Sequence, residues 1–269
     1  MVGGSTPLRR LDVTLADPPD PSPSDQSAFR VRCDWGPMGL RNLAPSADVL
    51  VVVDVLSFTT SVDVALGRGA VVFPYRWHDG SEHEFAAAND AVVAGSRWET
   101  EGWSLAPSSL ATLPTGTRLV LPSPNGSALS FGAREAGATT VVAACLRNAA
   151  AVAAMHADTG AVVGVVAAGE RWRGATGPMR VAFEDLLGAG AVLAGFDRDD
   201  LSPEALAAVA VWRDAETELR DRLLACASGR QLVEAGWAED VAIAAQAHVS
   251  DLVPTLDHDR FVDGTDGSA

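Results

Sequence analysis

The sequence predicts an α/β fold in which a mixed, largely parallel sheet is flanked by helices. Short runs rich in valine and alanine alternate along the chain with segments of helical periodicity, which is the order of β–α units. These runs are almost continuously apolar, as strands are when helices cover both faces of a sheet. Polar residues follow four of the runs at the strand exit, and we therefore expect the active site at the carboxyl ends of the strands.

In the first half of the chain, three apolar runs predict strands. Residues 28–35 and 49–55 are the first two, and residues 70–74 (AVVFP) are the third. Helices are predicted over 60–66, after the hydroxyl-rich turn that follows the second strand, and over 82–94. Each of these helices follows a strand, as a β–α unit requires.

In the second half, the same alternation continues and then gives way to helix. The runs RLVLPS from residue 118, TTVVAAC from residue 139 and AVVGVVAAG from residue 161 predict three more strands. Helices are predicted after residues 125 and 148, over 180–194, and through most of 202–246. The chain therefore supplies at least six strands to the predicted sheet.

The predicted helix at 180–194 carries a pair of neighbouring acids. Its apolar residues between Phe183 and Gly190 share one face at helical spacing and are predicted core. Glu184 and Asp185 point about 100° apart on such a helix, so that one can reach a site while the other stays in solvent. Favourable charge at a helix N-terminus is the alternative interpretation.

Composition limits the functions that the chain can have. Its 269 residues suit one large domain or two small ones. A net charge of −15 argues against nucleic-acid binding, because an acidic protein and a polyanion repel each other. The apolar runs fall short of the ~20 residues that a membrane helix needs, and the N-terminus shows no apolar signal core. We expect no nucleic-acid partner and no membrane.

The cysteines indicate a reducing compartment. Cys33, Cys145 and Cys226 are far apart, odd in number and without CxxC spacing. They predict neither a disulfide framework nor a zinc site. We therefore expect a cytoplasmic protein.

The two ends of the chain differ in composition from the rest. Residues 1–27 include DPPDPSPSDQS, whose proline, serine and aspartate predict a flexible leader. Residues 263–269, DGTDGSA, predict a flexible tail. Residues 28–262 form the predicted catalytic region. Whether this region divides into two lobes, with a boundary near residue 115, is left open.

Four predicted strand exits carry polar groups that suit an anion. A helix follows each exit, and the first turn of a helix offers free N–H groups and a positive dipole end to an anion such as phosphate. The residues are Asp54, Thr59 and Thr60 in DVLSFTTS, Ser123, Asn125, Gly126 and Ser127 in PSPNGS, Arg147 and Asn148 in CLRN, and Glu170 and Arg171 in AGERWRG.

Ordinary turn chemistry is the alternative at these exits. Serine, threonine and asparagine before a helix are common N-caps, worth about 1 kcal/mol each, and the glycine of NGS can serve a turn alone. Asp54 differs, because a carboxylate that ends an all-valine strand is costly to bury without a partner. We interpret it as a functional or metal-binding residue, with a cap or a buried ion pair as the alternative.

Common catalytic motifs are missing from the sequence. It contains no GxxxxGK[ST] phosphate loop, HExxH or GxSxG, and its five histidines show no ligand spacing. A haloacid-dehalogenase-type phosphatase would need an aspartate two residues after Asp54, where Leu56 stands. The polar strand exits are therefore the candidates for chemistry.

Five stretches in matching order resemble the 2-phosphosulfolactate phosphatase (ComB-like) family. They are VVVDVLSFTTSVDVAL, LPSPNGSALS, ACLRNAAAVA, AGERW with RVAFEDLLGAGAVL, and ASGRQLVEAGWAEDVAIAAQ with LVP. The resemblance runs from about residue 28 to residue 262. It implies a magnesium-dependent, acid phosphatase-like hydrolase with an α/β fold, which cleaves 2-phosphosulfolactate to sulfolactate and phosphate.

The resemblance and the strand exits together give a set of predicted roles. The predicted partner is a small anionic phosphorylated substrate, and the predicted cofactor is Mg²⁺, a hard cation that prefers oxygen ligands. A homo-oligomer is left open. Catalytic roles are predicted for Asp54, Asn125, Asn148 and Glu170, phosphate or substrate binding for Thr59, Thr60, Gly126, Ser127, Arg147 and Arg180, and metal binding for Asp54, Glu184 and Asp185.

The sequence departs from the family pattern near the predicted site. Ser57 and Phe58 stand where the family often has Arg-Ala, and Ser96 stands where it has glutamate. A phosphatase for another small organophosphate and a non-catalytic anion-binding protein of the same fold are therefore left open. The candidate anion partners that remain are Arg97, Arg147, Arg171 and Arg180.

Overall fold

The computed structural model of the chain describes residues 23–76, 79–97, 102–172 and 177–267. Within these residues, nine strands form one mixed sheet and two form a separate hairpin. The strands are β1 (Val31–Trp35), β2 (Val49–Val53), β3 (Val71–Tyr75), β4 (Val92–Val93), β5 (Arg118–Pro122), β6 (Thr140–Ala144), β7 (Val163–Ala167), β8 (Glu170–Arg171), β9 (Met179–Arg180), β10 (Pro254–Asp257) and β11 (Arg260–Asp263).

Helices flank the sheet, so the predicted fold class is confirmed. None of the helices in the described ranges is both long and apolar enough to span a membrane. The helices are α1 (Gly36–Leu43), α2 (Phe58–Gly67), α3 (Ser81–Ala88), α4 (Pro107–Leu110), α5 (Gly126–Glu135), α6 (Ala149–Ala157), α7 (Phe183–Leu193), α8 (Pro203–Ala215), α9 (Leu219–Ala225), α10 (Ala227–Glu234) and α11 (Ala238–Ala244).

The sheet consists of two parallel groups that a hairpin joins. The first group runs in the order β1, β7, β2, β6, and the second in the order β3, β5, β4. Between them, β10 pairs antiparallel with β6, β11 pairs antiparallel with β10, and β3 pairs antiparallel with β11. Three reversals separate β6 from β3, so the strands of the two groups run in opposite directions.

Helix α5 connects the two groups on one face of the sheet. It follows β5 of the second group in the chain, yet it packs against β2 and β6 of the first group as well as against β3. Leu129 and Ala133 of α5 are buried in one apolar cluster with Leu50 and Val52 of β2. This packing brings the exit of β5 to the exit of β2.

Three details of the predicted elements are wrong. The helix predicted over 82–94 ends at Ala88, because the chain turns through the left-handed residue Asp90 (φ 50°) into β4. The helix predicted from residue 180 begins at Phe183, since Met179 and Arg180 pair with β8. The hairpin of β10 and β11 was not predicted, because its strands have only four residues each and mix apolar with charged side chains.

The predicted terminal segments lie partly outside the described residues. Residues 1–22 of the predicted leader and residues 268 and 269 of the predicted tail are among those not described. Residues 264–267 of the predicted tail form a short 3-10 helix. Residue 115, the boundary left open for two lobes, lies between β4 and β5, which pair with each other in the one sheet.

Replacing Gly190 by alanine should destabilise the contact between α7 and α8. A Cβ at Gly190 would lie 2.3 Å from the Ala208 carbonyl oxygen and 2.7 Å from the Trp212 Cβ. Such overpacking against backbone costs about 1–3 kcal/mol. Urea unfolding of Gly190→Ala should therefore give a lower midpoint with an unchanged slope.

Gly132→Ala is the matched control for this prediction, because it also lies within a helix. A Cβ there meets only the Leu40 side chain, at 3.6 Å, which is an ordinary contact. Alanine should then stabilise α5 by about 0.5–1 kcal/mol, since glycine is the poorer helix former. Equal midpoints for the two variants would contradict the close approach of α7 and α8.

Candidate active site

The turn from β2 into α2 holds the Asp54 carboxylate at the start of two helices. Its Oδ1 accepts a hydrogen bond from the Phe58 amide of α2 at 3.4 Å, and its Oδ2 accepts one from the Gly126 amide of α5 at 2.9 Å. Asp54 is 6% exposed. A Cβ at Gly126 would lie 2.2 Å from the Phe58 ring, so only glycine allows this approach of α5.

Asp185, in the first turn of α7, ties together the exits of two neighbouring strands. Its Oδ1 accepts from the Val55 amide at 2.8 Å, and its Oδ2 accepts from the Gly169 amide at 2.9 Å. Val55 follows β2, and Gly169 follows β7. Glu184 and Asp185 are both buried, so the expectation that one of them would stay in solvent is wrong.

Glu170 joins this region from the short β8–β9 hairpin. Its Oε1 accepts from the Asn125 side-chain amide at 3.3 Å and from the Arg171 backbone amide at 2.7 Å. Arg180 pairs with Glu170 across the hairpin. The predicted residues Asn125 and Glu170, which are distant in sequence, are thus in contact.

Two buried carboxyl groups of the site, Asp54 and Asp185, are costly to ionise. Burial, and then the charge of Glu170, raise the pKa of Asp54 to about 7, although the amides of Phe58 and Gly126 act in the opposite direction. Burial, and then the charges of Glu184 and Asp54, raise the pKa of Asp185 well above its usual range. We call Asp54, Glu170, Glu184 and Asp185 the acid cluster.

The contribution of Asp54 to the free energy of unfolding should rise as the pH falls from 8 to 5. A carboxyl whose pKa is raised by folding binds its proton more tightly in the folded state, so its ionisation opposes folding. For Asp54 this opposition is complete above about pH 7 and is relieved as the pH falls toward the ordinary pKa of 3.8. The effect is at most about 4 kcal/mol for this one group. Urea unfolding across this pH range measures it.

Asp54→Asn is the matched control, because it removes the titrating group and keeps the shape. Its free energy of unfolding should depend less on pH between 5 and 8 than that of the unchanged protein. Asp200 is half-buried, and its hydrogen bond from Arg30 lowers its pKa. The protein loses the stability that such an acid contributes only below about pH 4, outside this window. Identical pH dependence in both proteins would contradict the assignment.

The predicted hydroxyl ligands donate to backbone carbonyl groups in this structure. Thr59 Oγ1 donates to the Asp54 carbonyl and Thr60 Oγ1 to the Val55 carbonyl, both at 2.8 Å. Ser127 Oγ donates to the Leu121 carbonyl at 3.2 Å. The three hydroxyls therefore hold the strand-to-helix turns, and their predicted role in phosphate binding stays a prediction.

Asn148 has a similar local environment after β6. Its Oδ1 accepts from the Cys145 amide at 2.8 Å, and its Nδ2 donates to the Ala143 carbonyl at 3.2 Å. The side chain is fully buried. These contacts fix the turn into α6, and the catalytic role predicted for Asn148 stays a prediction.

The predicted arginines lie in different places. Arg147 Nε donates to Asp63 at 2.7 Å, and both residues line a cavity of about 770 Å³ beside the C-terminal half of α2. Arg180 Nη2 donates to Ser228 Oγ at 3.1 Å, next to the strand that carries Glu170. Among the contacts of the described residues, Arg180 is therefore beside the acid cluster and Arg147 is apart from it.

Several contacts near the site involve Arg97, predicted only as a candidate anion partner, and two residues without a predicted role, Cys226 and Asp240. Arg97 donates to Ser57 Oγ and to Asp240 of α11. The Cys226 thiol, whose pKa burial and the nearby Glu184 raise to about 12, lies 3.5 Å from Glu184 Oε2. The sequence offers a signal for Asp240, which is an acid at the start of the largely apolar helix AEDVAIA. No local pattern marks Cys226.

A metal site is not preformed in the described ranges of the chain. No group of three or more His, Cys, Asp or Glu side chains there is arranged to hold a metal ion. The acid cluster nevertheless offers carboxylate oxygens, the ligands that Mg²⁺ prefers. Magnesium therefore stays a prediction.

Comparison with known proteins decides the family. The sequence model of the 2-phosphosulpholactate phosphatase family matches residues 40–259. The chain belongs to this family. The resemblance predicted from the sequence motifs is therefore confirmed, and the chain is a phosphoric monoester hydrolase by family.

Three relatives of the same family cover most of the chain. A "Probable 2-phosphosulfolactate phosphatase" of Pseudothermotoga lettingae is 27% identical over 220 residues, which are 80% of this chain and 92% of the relative. A protein of the same name from a Cyanothece species is 25% identical, over 77% of this chain and 88% of the relative. Another from a Synechococcus species is 29% identical, over 70% and 80%.

Proposed function

We propose that the chain hydrolyses 2-phosphosulfolactate to sulfolactate and phosphate at the acid cluster. Family membership supports the reaction class, and the names of the three relatives support the substrate. The observation that carries the location is the burial of Asp54 at the start of both α2 and α5, beside Glu170 and Glu184. Helix N-termini favour a phosphoryl anion, and the acids favour a cation that would accompany it.

The donor chemistry of the acid cluster fits Mg²⁺. The raised pKa values of Asp54 and Asp185 show that negative charge is unfavourable at this site, and a divalent cation would relieve that cost. Asp54, Glu184 and Asp185 are the proposed ligands, although both Asp185 oxygens already accept backbone amides. When bound, the cation would neutralise phosphoryl oxygens and lower the pKa of a bound water.

The protein groups around Asp54 have distinct proposed tasks. The amides of Phe58 and Gly126 orient the Asp54 carboxylate. Burial raises the pKa of the cation-free Asp54 carboxyl to about 7, and a bound cation would favour its ionised form. Asn125 holds Glu170. Arg180 would contribute to substrate binding. The other residues predicted to bind the substrate or its phosphate are Thr59, Thr60, Gly126, Ser127 and Arg147.

A phosphate-release assay tests the proposed function. The purified protein is incubated with 2-phosphosulfolactate and with a panel of small phosphomonoesters, each with Mg²⁺ and with EDTA. We expect Mg²⁺-dependent release that is fastest with 2-phosphosulfolactate. Faster release from another ester would favour a phosphatase for another small organophosphate, the alternative that Ser57 and Ser96 leave open. Binding of these anions without turnover would favour a non-catalytic anion-binding protein.

The surroundings of the protein are also proposals. The free state of Cys33, Cys145 and Cys226 and the net charge of −15 support a reducing cytoplasm and no nucleic-acid partner. Homo-oligomerisation stays open, and light scattering of the purified protein would measure it.

A further inference from the structure

Arg97 is a largely buried arginine next to the turn that carries Asp54. Its side chain is 12% exposed. One terminal nitrogen, Nη2, donates to Ser57 Oγ and to the Leu105 carbonyl at 3.1 Å, and the other, Nη1, donates to Asp240. The guanidinium also lies 5.6 Å from the centre of the Trp237 ring. These contacts hold the positive charge in one place.

Asp240 fixes this arrangement from the C-terminal helices. Its carboxylate is fully buried, and while one oxygen accepts from Arg97, the other accepts from the Ser108 amide at 3.0 Å. A buried carboxylate with two donors has little freedom to move. Asp240 therefore presents Arg97 to Ser57 with a defined orientation.

Arg97 lies next to the turn that leads from Asp54 into α2. Ser57 precedes α2, whose first amide, that of Phe58, donates to Asp54. Burial lowers the pKa of Arg97, whereas its ion pair with Asp240 and, to a lesser extent, the charge of Asp54 raise it. Contacts within the described residues use three of the five N–H groups of a guanidinium.

The other candidate arginines have different surroundings. Arg147 is paired with Asp63, and Arg171 donates to the Gly177 carbonyl. Arg180 pairs with Glu170 in the β8–β9 hairpin and donates to Ser228. Arg97 is the candidate that approaches Asp54 from the Ser57 side.

We propose that Arg97 binds the second acidic group of the substrate, its sulfonate or carboxylate, and that Asp240 is the positioning residue for Arg97. This inference rests on the proposed function. A second anion is repelled by four carboxylates and needs its own positive charge, and the guanidinium fork matches sulfonate and carboxylate oxygens. The enzyme would therefore prefer substrates that carry a sulfonate or carboxylate in addition to the phosphoryl group.

Three phosphomonoesters test the inference: 2-phosphosulfolactate, phospholactate, which lacks the sulfonate, and ethyl phosphate, which lacks both acids. In Arg97→Lys, KM for 2-phosphosulfolactate should rise about tenfold or more, as expected when a bidentate charged contact is lost. The kcat for this substrate and the KM for ethyl phosphate should change less than threefold. If phospholactate behaves like ethyl phosphate, Arg97 binds the sulfonate, and if it behaves like the full substrate, Arg97 binds the carboxylate.

Two further variants keep the test decisive. Arg97→Met combined with Asp240→Asn removes the guanidinium without leaving a buried charge, and it should show the same selective rise in KM. Asp240→Asn alone should raise KM for 2-phosphosulfolactate less than Arg97→Lys does. Arg30→Met is the control, because it also breaks an ion pair, with Asp200, next to the first residue of β1 and away from the strand exits.

Two results would overturn the inference. One is an equal rise in KM for all three esters, which would make Arg97 a phosphoryl-binding residue, and the other is no change in any of them. If the unchanged protein releases no phosphate, the proposed function fails. Calorimetric binding of sulfolactate then tests separately whether Arg97 binds an acidic group. Binding that is lost in Arg97→Lys and kept in Arg30→Met supports the inference, and equal binding by both variants rejects it.

Discussion

Asp54→Asn should lower kcat for phosphate release by about 10³-fold or more, which corresponds to about 4 kcal/mol of transition-state stabilisation. The asparagine is isosteric and keeps one oxygen for the Gly126 amide, 2.9 Å from Asp54 Oδ2. It loses the charge that the proposed cation and any proton transfer require. A continuous assay of released phosphate with saturating Mg²⁺ measures the change.

An acid at the other end of β2 provides the control for this variant. Asp48 precedes β2, and its Oδ2 accepts from the Val162 amide at 2.8 Å, at the end of the strand opposite to Asp54. Asp48→Asn should leave kcat within about twofold. The unfolding midpoint of Asp54→Asn at pH 8 should not fall, because a carboxyl whose ionisation opposes folding is removed. A kcat within tenfold of the unchanged enzyme would remove Asp54 from the reaction.

Asp185→Ala should have the largest effect on stability. Alanine removes both acceptors at once, so the buried amides of Val55 and Gly169, now at 2.8 and 2.9 Å from the carboxylate oxygens, lose their partners. Each buried amide without a partner costs about 1–3 kcal/mol. The free energy of unfolding should therefore fall by about 2–6 kcal/mol, measured by urea unfolding at pH 7.

Asp185→Asn separates the lost hydrogen bonds from the lost charge. The asparagine keeps one acceptor oxygen and removes a carboxyl whose pKa burial and Glu184 raise. Its loss of stability should be less than half of that in Asp185→Ala. A larger loss in the asparagine variant would mean that the charge itself stabilises the junction of β2 and β7.

The sequence marks a candidate site residue where one side chain differs from its surroundings. Asp54 ends a run of valines that are all buried in the structure, and its position as a costly carboxylate was visible without coordinates. Asn125 and Glu170 were both predicted from polar strand exits, but their contact was not, because their strands belong to groups that run in opposite directions. These predictions depended on local pattern and on strand order, which the chain encodes directly.

Other parts of the site depended on distances that no local pattern encodes. The hydroxyls of Thr59 and Thr60 were visible as donors, but only the structure shows that they donate to the carbonyls of Asp54 and Val55. Arg97 and Asp240 meet across 143 residues. Periodicity identifies the apolar face of a helix, whereas it does not show which distant charge a buried acid faces.

The hairpin of β10 and β11 also protects the edges of the sheet. It covers β6 on one side and β3 on the other, and both of these strands would otherwise present unpaired backbone groups. Such open edges are templates for pairing with another molecule. A chain without these two strands would therefore present two open edges in addition to those at β1 and β4.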